Sequence, residues 1–507
     1  MPTPISLENL QSFGDVAAED DPVLDYFLKT DAVRRIQDNE VLLILGRKGS
    51  GKTALVRFFA EGSKEAASKP LSLRGYPWNV HSARIDHGAA PIEAYVSSWR
   101  YLLSLEVALL AFAKVGHHDH PKAKAIQKFL EENFGSVNPE LGDILRPPKI
   151  RLSGTSIEPE VFGFKLGGIE FERKAGDLNL GVELNALSNA LLDAAIELAQ
   201  SSGSRSLLVH FDELDQGITE FDDARKLMLV GLILAARDIR LTTRSKPVQV
   251  SPIVYLRTDL WDDLTFSDKN KISQTTTLNL EWQDESLLDL VNERLRARLG
   301  PSVDWNAIVT HSLMRGSQSK WKHILGRTFL RPRDVIKFLN SALSEAKKRG
   351  GALGSPLLLD NPDVTNARET YSVYLKKELD DEIIPHWVHW DEALKACSAI
   401  STITFRRDEF LRQYEGRKSR QNTVPGSEAL ALLYRFSVIG YERRSGYGGS
   451  SWSFHYTNPE AGWDESASIF KVHLGLKEYA KLREERITES ATTEETLNIE
   501  SDQLDLR

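Results

Sequence analysis

Cysteine is almost missing from this chain: Cys397 is the only one in 507 residues. A lone thiol excludes an intramolecular disulfide framework and a multi-cysteine zinc site, and leaves a reducing, cytoplasmic setting as the default. There is also no excess of basic charge, with 64 Lys and Arg against 72 Asp and Glu. The net charge is −8 with a pI near 5.9, so the chain as a whole exerts no electrostatic pull on nucleic acid or anionic membrane, although a local basic patch still could. The first residues lack the basic and apolar regions of a signal peptide. No long uninterrupted apolar run exists either. The most apolar stretch, 99–115, is broken by Arg100, Glu106 and Lys114, which predicts a buried core helix and no membrane partner. No internal repeat is visible. No Ser/His/Asp or Cys/His constellation can be read, because such groups are not placed by spacing alone.

What is present is ordinary globular material in quantity. Hydrophobic residues make up 41% and charged residues 27%, enough for a large core divided among two to four domains. The apolar pattern predicts an N-terminal helical segment over 1–40 and a strand at Val41–Leu45. Further strands are expected at Val80–Ile85, at Ser206–Phe211, at Val248–Leu256 and at Thr276–Leu280. Helices are expected at 92–115, at 185–200 and at 222–238. Strands alternating with helices imply a parallel α/β sheet. Residues 116–148 are polar and mixed. From Ile150 to Leu184 a period-two, glycine-bearing pattern predicts a β-containing insertion, so that an insertion occupies about 116–185 of a core running 41–285. A helical lid follows at 286–375, with Gly350–Pro362 as a connector inside it. Residues 376–483 give helix patterns at 407–414 and 427–436, then strands at Val438–Glu442 and Ser451–Tyr456 around a glycine-rich turn. That is the order of a winged helix. The acidic tail 484–507 is expected to be disordered.

Gly46-Arg47-Lys48-Gly49-Ser50-Gly51-Lys52-Thr53 fits the phosphate-loop pattern G-x-x-x-x-G-K-[ST]. Its glycines permit a backbone that wraps a polyphosphate with N–H groups, and the helix that follows offers its positive end to the anion. Lys52 reaches the β- and γ-phosphates and the Thr53 hydroxyl binds Mg²⁺. The context is the required one: an apolar strand before, a helix after. Leu207–Phe211 ends in Asp212-Glu213, which suits a Walker B strand with Asp212 holding Mg²⁺ and Glu213 polarising the attacking water as general base. The plainer alternative is a solvated strand end. Ile253–Asp259 has the form of a sensor strand, with Thr258 as the polar group near the γ-phosphate and Arg257 as a charge-stabilising arginine, in cis or toward a second copy in a homo-oligomer. Alternatively, Arg257 and Asp259 pair with each other. Arg331 and Arg333 begin a lid helix, with Pro332 as its first-turn proline, and either could sense nucleotide; a plain surface pair is the alternative. The run His117, His118, Asp119 and His120 invites a metal, but neighbouring residues cannot easily converge on one ion, so a solvated loop is the better reading. His210, within the acidic strand, reads as a core histidine.

The strings GRKGSGKT, DELD, LRTDLWDDL and RPRDVIKFLN, with LLYRFSVIGY further on, resemble a bacterial P-loop ATPase family of poorly characterised function. That family is related to the AAA+ and STAND-like ATPases, which include origin-recognition-type proteins. The resemblance covers most of 25–340. It implies an α/β ATPase core, a helical lid and a C-terminal winged helix, and a regulatory or anti-phage role. The insertion departs from a minimal core of this kind and leaves ring formation open. The expected cofactors are ATP and Mg²⁺. The expected function is an ATP-binding, ATP-hydrolysing switch acting on a protein partner or DNA through the C-terminal domain. Residues 401–450 support the DNA option, carrying nine basic and five acidic side chains; the cluster is Arg406, Arg407, Arg412, Arg417, Lys418, Arg420, Arg443 and Arg444. The alternative is a nucleotide-gated binding module with little turnover. A small-molecule kinase is a third reading, disfavoured by the extra domains.

Overall fold

The computed structural model describes residues 5–63, 67–72, 91–115, 119–140, 180–215, 221–351, 355–444 and 450–484. The expected strand at Val80–Ile85, the period-two pattern of the insertion up to residue 179, His117 and His118, the turn at 445–449 and the acidic tail beyond Glu484 lie outside the described residues. The chain divides into two compact units. One is Gly14–Ala297 with Arg331–Arg333; the other comprises the residues up to Phe13, Arg298–Leu330 and the chain from Asp334 on.

The first unit is built on a parallel sheet. Its elements in chain order are α1 (Asp31–Gln37), β1 (Leu43–Leu45), α2 (Lys52–Arg57), β2 (Ala67–Ser72), α3 (Pro91–Val115), α4 (Pro121–Phe134), α5 (Leu180–Ser201), β3 (Ser206–Asp212), α6 (Asp223–Thr243), β4 (Gln249–Leu256), α7 (Thr258–Asp263), α8 (Lys269–Thr275), β5 (Thr277–Asn279) and α9 (Asp284–Leu299). The strand order is β2-β3-β4-β1-β5, and each pairing is parallel. β1, β3 and β4 are buried almost throughout, as strands covered on both faces must be, which is why their sequences are continuous apolar runs. β2 escaped sequence reading because it reads Ala-Ser-Lys-Pro-Leu-Ser. Its burial explains this: only Ala67 and Leu71 are buried, so the strand has no apolar run to read.

Helices α3 and α6 pack on one side of this sheet, and α5 packs on α3. By length and composition the Ile92–Lys114 span could cross a membrane, but its side chains, among them Trp99, Leu103, Leu105 and Val107, are core residues. Each large apolar group so buried contributes on the order of 1.5–3 kcal/mol. Glu106, on the same helix, is only 2% exposed and is paired with Lys69 of β2 at 2.5 Å. Residues 121–134, read from sequence only as polar and mixed, are an amphipathic helix burying Ile126, Phe129 and Leu130. His120 caps it: its ring nitrogen accepts from the Lys122 N–H, Pro121 opens the first turn, and Gly135 closes it at φ +70°. His120 is thus a helix cap, and no cluster of three metal-ligating side chains occurs among the described residues. The N-terminal helix pattern is also interrupted: a 3-10 turn at Val23–Tyr26 precedes α1.

The second unit holds α10 (Lys320–Leu325), α11 (Pro332–Arg349, apart from its first residues), α12 (Asn361–Ile383), α13 (Trp390–Ile400), β6 (Thr404–Arg406), α14 (Arg407–Glu415), α15 (Gly426–Arg435), β7 (Ile439–Arg444), β8 (Ser450–Ser453) and β9 (Ile469–Val472). Arg349 clamps buried Asp363 through two bonds of 2.9 and 2.8 Å, joining α11 to the capping box that opens α12. From α13 on, the order is helix, strand, helix, helix and a sheet β6-β9-β7-β8 with antiparallel pairings. This is a winged-helix domain, with the β7–β8 hairpin as its wing. Fully buried Cys397 lies in α13, and burial pushes its thiol up to about 12, so it is an inert packing residue.

His210 lies in β3, within the parallel sheet of the first unit. Its Nδ1 lies 2.9 Å from the Tyr255 hydroxyl and its ring stacks on Phe59. Burial pushes its imidazole down to about 3. The folded chain therefore stays neutral there while the unfolded chain takes up a proton below its ordinary value of about 6.5. The associated stability is complete above pH 6.5 and is lost as the pH falls toward 3. We expect the urea-unfolding free energy of wild type to fall more steeply between pH 6.5 and 4 than that of His210→Gln, by up to about 1.4 kcal/mol per pH unit; parallel profiles would show that His210 does not carry this acid sensitivity.

Candidate nucleotide-binding site

All the residues that sequence reading assigned to phosphate and metal chemistry belong to the first unit. β1 ends at Leu45, and Gly46 turns the chain, its N–H held by the Leu256 carbonyl of β4 at 3.2 Å. A Cβ at Gly46 would lie 2.4 Å from Ser50 Oγ, so the turn closes only around glycine. Gly49 and Gly51 have φ of +79° and +101°, values that side chains other than glycine adopt at a cost. Lys52 then begins α2.

A loop built to turn N–H groups toward an anion must place its carbonyls elsewhere, and buried carbonyls need donors. In this loop every carbonyl from 46 to 51 has one. Lys52 Nζ donates to Gly46 O at 2.8 Å and to Arg47 O at 3.1 Å. Arg331 Nη1 donates to Lys48 O at 2.8 Å. The Arg333 backbone N–H reaches Gly49 O at 3.4 Å. Trp282 Nε1 donates to Ser50 O at 2.7 Å. The Leu55 N–H takes Gly51 O at 3.2 Å in the first turn of α2. Trp282 carried no recognisable sequence signal; it follows β5, the strand beside β1, and only the parallel register brings it there.

The Lys52 side chain is half-buried as a whole, with its ammonium end enclosed. Burial lowers its pKa, while Asp215 and Asp212 pull it back up. Asp212 closes β3 and is 7% exposed. Burial raises its carboxyl, opposed by a hydrogen bond from the Thr53 side chain and by Lys52. Its Oδ2 is buried without a protein partner, as is Ser50 Oγ. A buried carboxylate oxygen with no donor, beside a threonine hydroxyl at a phosphate loop, is the donor set that Mg²⁺ requires: hard oxygens with room for water and phosphate. The residues fit the ion, with Thr53 and Asp212 as the groups that would hold it.

Glu213 stands at φ +60°, and the Ser72 hydroxyl at the end of β2 donates to its Oε2. The neighbouring strand thus tethers the residue assigned as general base. Arg257 is buried at the end of β4. Its guanidinium bonds both oxygens of Asp259, at 3.0 and 2.7 Å, and Asp215 at 3.3 Å. The alternative pairing of Arg257 with Asp259 is therefore what the geometry contains, and Asp215, which sequence reading did not single out, joins it. Thr258 opens α7 directly after Arg257. Arg331 is 2% exposed, so it is no surface residue. Arg333 lies against Gly49, where an added Cβ would come within 2.7 Å of its own Cβ, and its Nε donates to Val16 O at 3.0 Å.

Loop, strand order and acidic strand together define a P-loop NTPase fold. Residues 285–380 match the FunZ-associated C-terminal helical domain (FunZ_C), a span running from α9 into α12. No curated protein matches the chain. Among solved structures it is similar to the Aeropyrum pernix ORC1 protein in complex with DNA, at 11% identity over 89% of this chain and 98% of that one, with a TM-score of 0.36. It is also similar to the Aeropyrum pernix ORC2 protein in ADPNP–ADP complexes (13%, 90% and 88%, TM-score 0.38) and to Cdc6p from Pyrobaculum aerophilum (12%, 89% and 92%, TM-score 0.27). These likenesses are distant, and the site is assigned on its own residues.

The orphaned oxygen of Asp212 yields a direct expectation. Asp212→Asn keeps an acceptor for Thr53 but removes the charge that a divalent cation needs. Mg²⁺ should strengthen ATP binding to wild type and have little effect on the variant, with about a tenfold or greater loss of the Mg²⁺-dependent gain. Calorimetric titration of ATP with and without Mg²⁺ checks this; an unchanged gain would remove Asp212 from the metal site.

Proposed function

We propose that this chain is an ATP-binding, ATP-hydrolysing switch that acts through its winged-helix domain. The observation that carries the reading is the meeting of Thr53 and Asp212, from loop and acidic strand, with an Asp212 oxygen left for a cation. When bound, Mg²⁺ supplies charge neutralisation of the phosphates. The chain's own residues do the rest. Backbone N–H groups of 47–53 other than that of Ser50 cradle the phosphates, Lys52 exchanges its two loop carbonyls for phosphate oxygens, and Glu213 accepts the proton of the attacking water once it leaves Ser72. Thr258 and Arg257 stand at the end of β4, between the loop strand and the acidic strand, where they can orient the water and the γ-phosphate. α11 begins in the nucleotide unit with Pro332 and Arg333 and continues into the other unit, which gives nucleotide state a covalent route to the output domain.

The tether of Glu213 to Ser72 favours a second reading, in which binding is the signal and turnover is slow until a partner frees the base. The output partner is better read as protein than as DNA. α15, the third helix of the winged-helix order, has Ser427 and Glu428 exposed and Ala431, Leu432 and Arg435 half-buried, which is no row of phosphate contacts. Much of the basic cluster is locally engaged. Arg407 donates to Ala467 O and Glu465 O, Arg412 pairs with Asp408, Lys418 with Glu415, and Arg417 bonds Gln413. Salt-sensitive duplex binding that disappears on replacing exposed Arg420 and Arg443 by alanine would reverse this preference.

Steady-state phosphate release from Mg-ATP tests the function. We expect Lys52→Ala to abolish it and Glu213→Gln to lower kcat by about 100-fold or more with nucleotide binding retained. A Glu213→Gln enzyme with wild-type turnover would show that another group is the base. Wild type that binds ATP but does not turn it over would establish the slow-switch reading.

A further inference from the structure

The loop's carbonyls divide into two groups. Those of Gly46 and Arg47 are held by Lys52, a residue of the loop itself. Those of Lys48, Gly49 and Ser50 are held from outside, by Arg331, the Arg333 N–H and Trp282. A carbonyl's negative end is repelled by phosphate, so a donor that holds such a carbonyl in place fixes which way its peptide turns. Arg331 is nearly inaccessible, yet a terminal nitrogen of its guanidinium is spent on Lys48 O at 2.8 Å. Trp282 holds the peptide between Ser50 and Gly51 immediately before Lys52, and its ring lies 3.9 Å from where a Cβ of Gly51 would sit. The two donors fix the 48–49 and 50–51 peptides, on either side of the one that Gly49 shares with Ser50.

We propose that Arg331 and Trp282 are positioning residues for the nucleotide, acting through the phosphate-loop backbone by holding the Lys48 and Ser50 carbonyls, and that Arg331 is not a direct sensor of the γ-phosphate. The proposal rests on the ATP-binding reading above. It makes a distinction that a direct sensor would not. Loop N–H groups serve the β-phosphate, which ATP and ADP share. Loosening the loop therefore weakens both nucleotides, whereas losing a γ-phosphate contact weakens ATP alone.

The test is equilibrium titration of the full chain with Mg-ATP and with ADP, for wild type, Arg331→Met and Trp282→Phe. Methionine keeps the stem of the arginine without its donors; phenylalanine keeps an aromatic ring without the indole N–H. We expect each variant to weaken both nucleotides by a similar factor, about tenfold, leaving the ATP-to-ADP affinity ratio within about twofold of wild type. Measuring well below the melting temperature of each nucleotide-free variant separates this from a general loss of stability, which lowers the melting point without moving the dissociation constants. If Arg331→Met weakens ATP and spares ADP, the arginine is a γ-phosphate sensor and the proposal falls. If both variants bind like wild type, the clamp has no bearing on the nucleotide and the proposal again falls. Trp282→Phe, the milder change, carries the test alone should Arg331→Met not fold. A wild-type chain that binds neither nucleotide would instead overturn the ATP-binding reading, and this inference with it.

Discussion

Six consecutive carbonyls, from Gly46 to Gly51, each have a donor. The rest of the nucleotide unit is arranged around this constraint. An ordinary glycine turn could leave its carbonyls to water. A loop packed between β1 and α2, with Arg331 against it, cannot, because a buried acceptor without a donor costs about 1–3 kcal/mol. The protein answers with one lysine from the loop, one turn of helix and three donors from distant sequence. The same loop is therefore held in shape before any phosphate arrives, which reduces what the ligand must order on binding.

A second constraint is the charge balance behind the phosphates. Asp212, Asp215 and Asp259 stand near Lys52 and Arg257 at the ends of β3 and β4. Of these carboxylates Asp212 is the one with an oxygen left unpartnered. A divalent cation would partner it. Arg257 is committed to Asp259 and Asp215, so any contact it makes with phosphate requires exchange of one carboxylate for another anion, and such an exchange couples ligand to structure only by the difference in affinity.

Most of the first unit's elements that are legible in the sequence are continuously buried; half-exposed β5, expected at Thr276–Leu280, is an exception. β1, β3, β4 and the helices 91–115, 180–201 and 223–243 are core on most faces, so hydrophobic runs and helical periodicity survive in the sequence. What sequence reading overlooked is local or peripheral. β2 buries only Ala67 and Leu71. The helix 121–134 is set by a histidine cap, a first-turn proline and a closing glycine, within a polar stretch. β6 and β9 are short strands, of three and four residues, whose pairing partners are distant in sequence. The 3-10 turn at Val23–Tyr26 breaks what periodicity alone suggested was one helix.

By itself the sequence determined the phosphate loop, the acidic strand and the alternation of strands and helices, because those depend on neighbours along the chain: glycines at fixed offsets, a lysine and threonine in one turn, a carboxylate at the end of an apolar run. Only the tertiary structure decided which groups serve that loop. Trp282 and Arg331 lie far from residues 46–53 in sequence, and neither donor has a periodic signature. The parallel register beside β1 and the return of the chain at Arg331–Arg333 place them there. The tether of Glu213 by Ser72 likewise exists because β2 pairs with β3 so that Ser72 stands opposite Asp212. Spacing along the chain specifies groups that act on a ligand together as one segment; through-space contacts specify the donors that hold the segment, and those are set by folding alone.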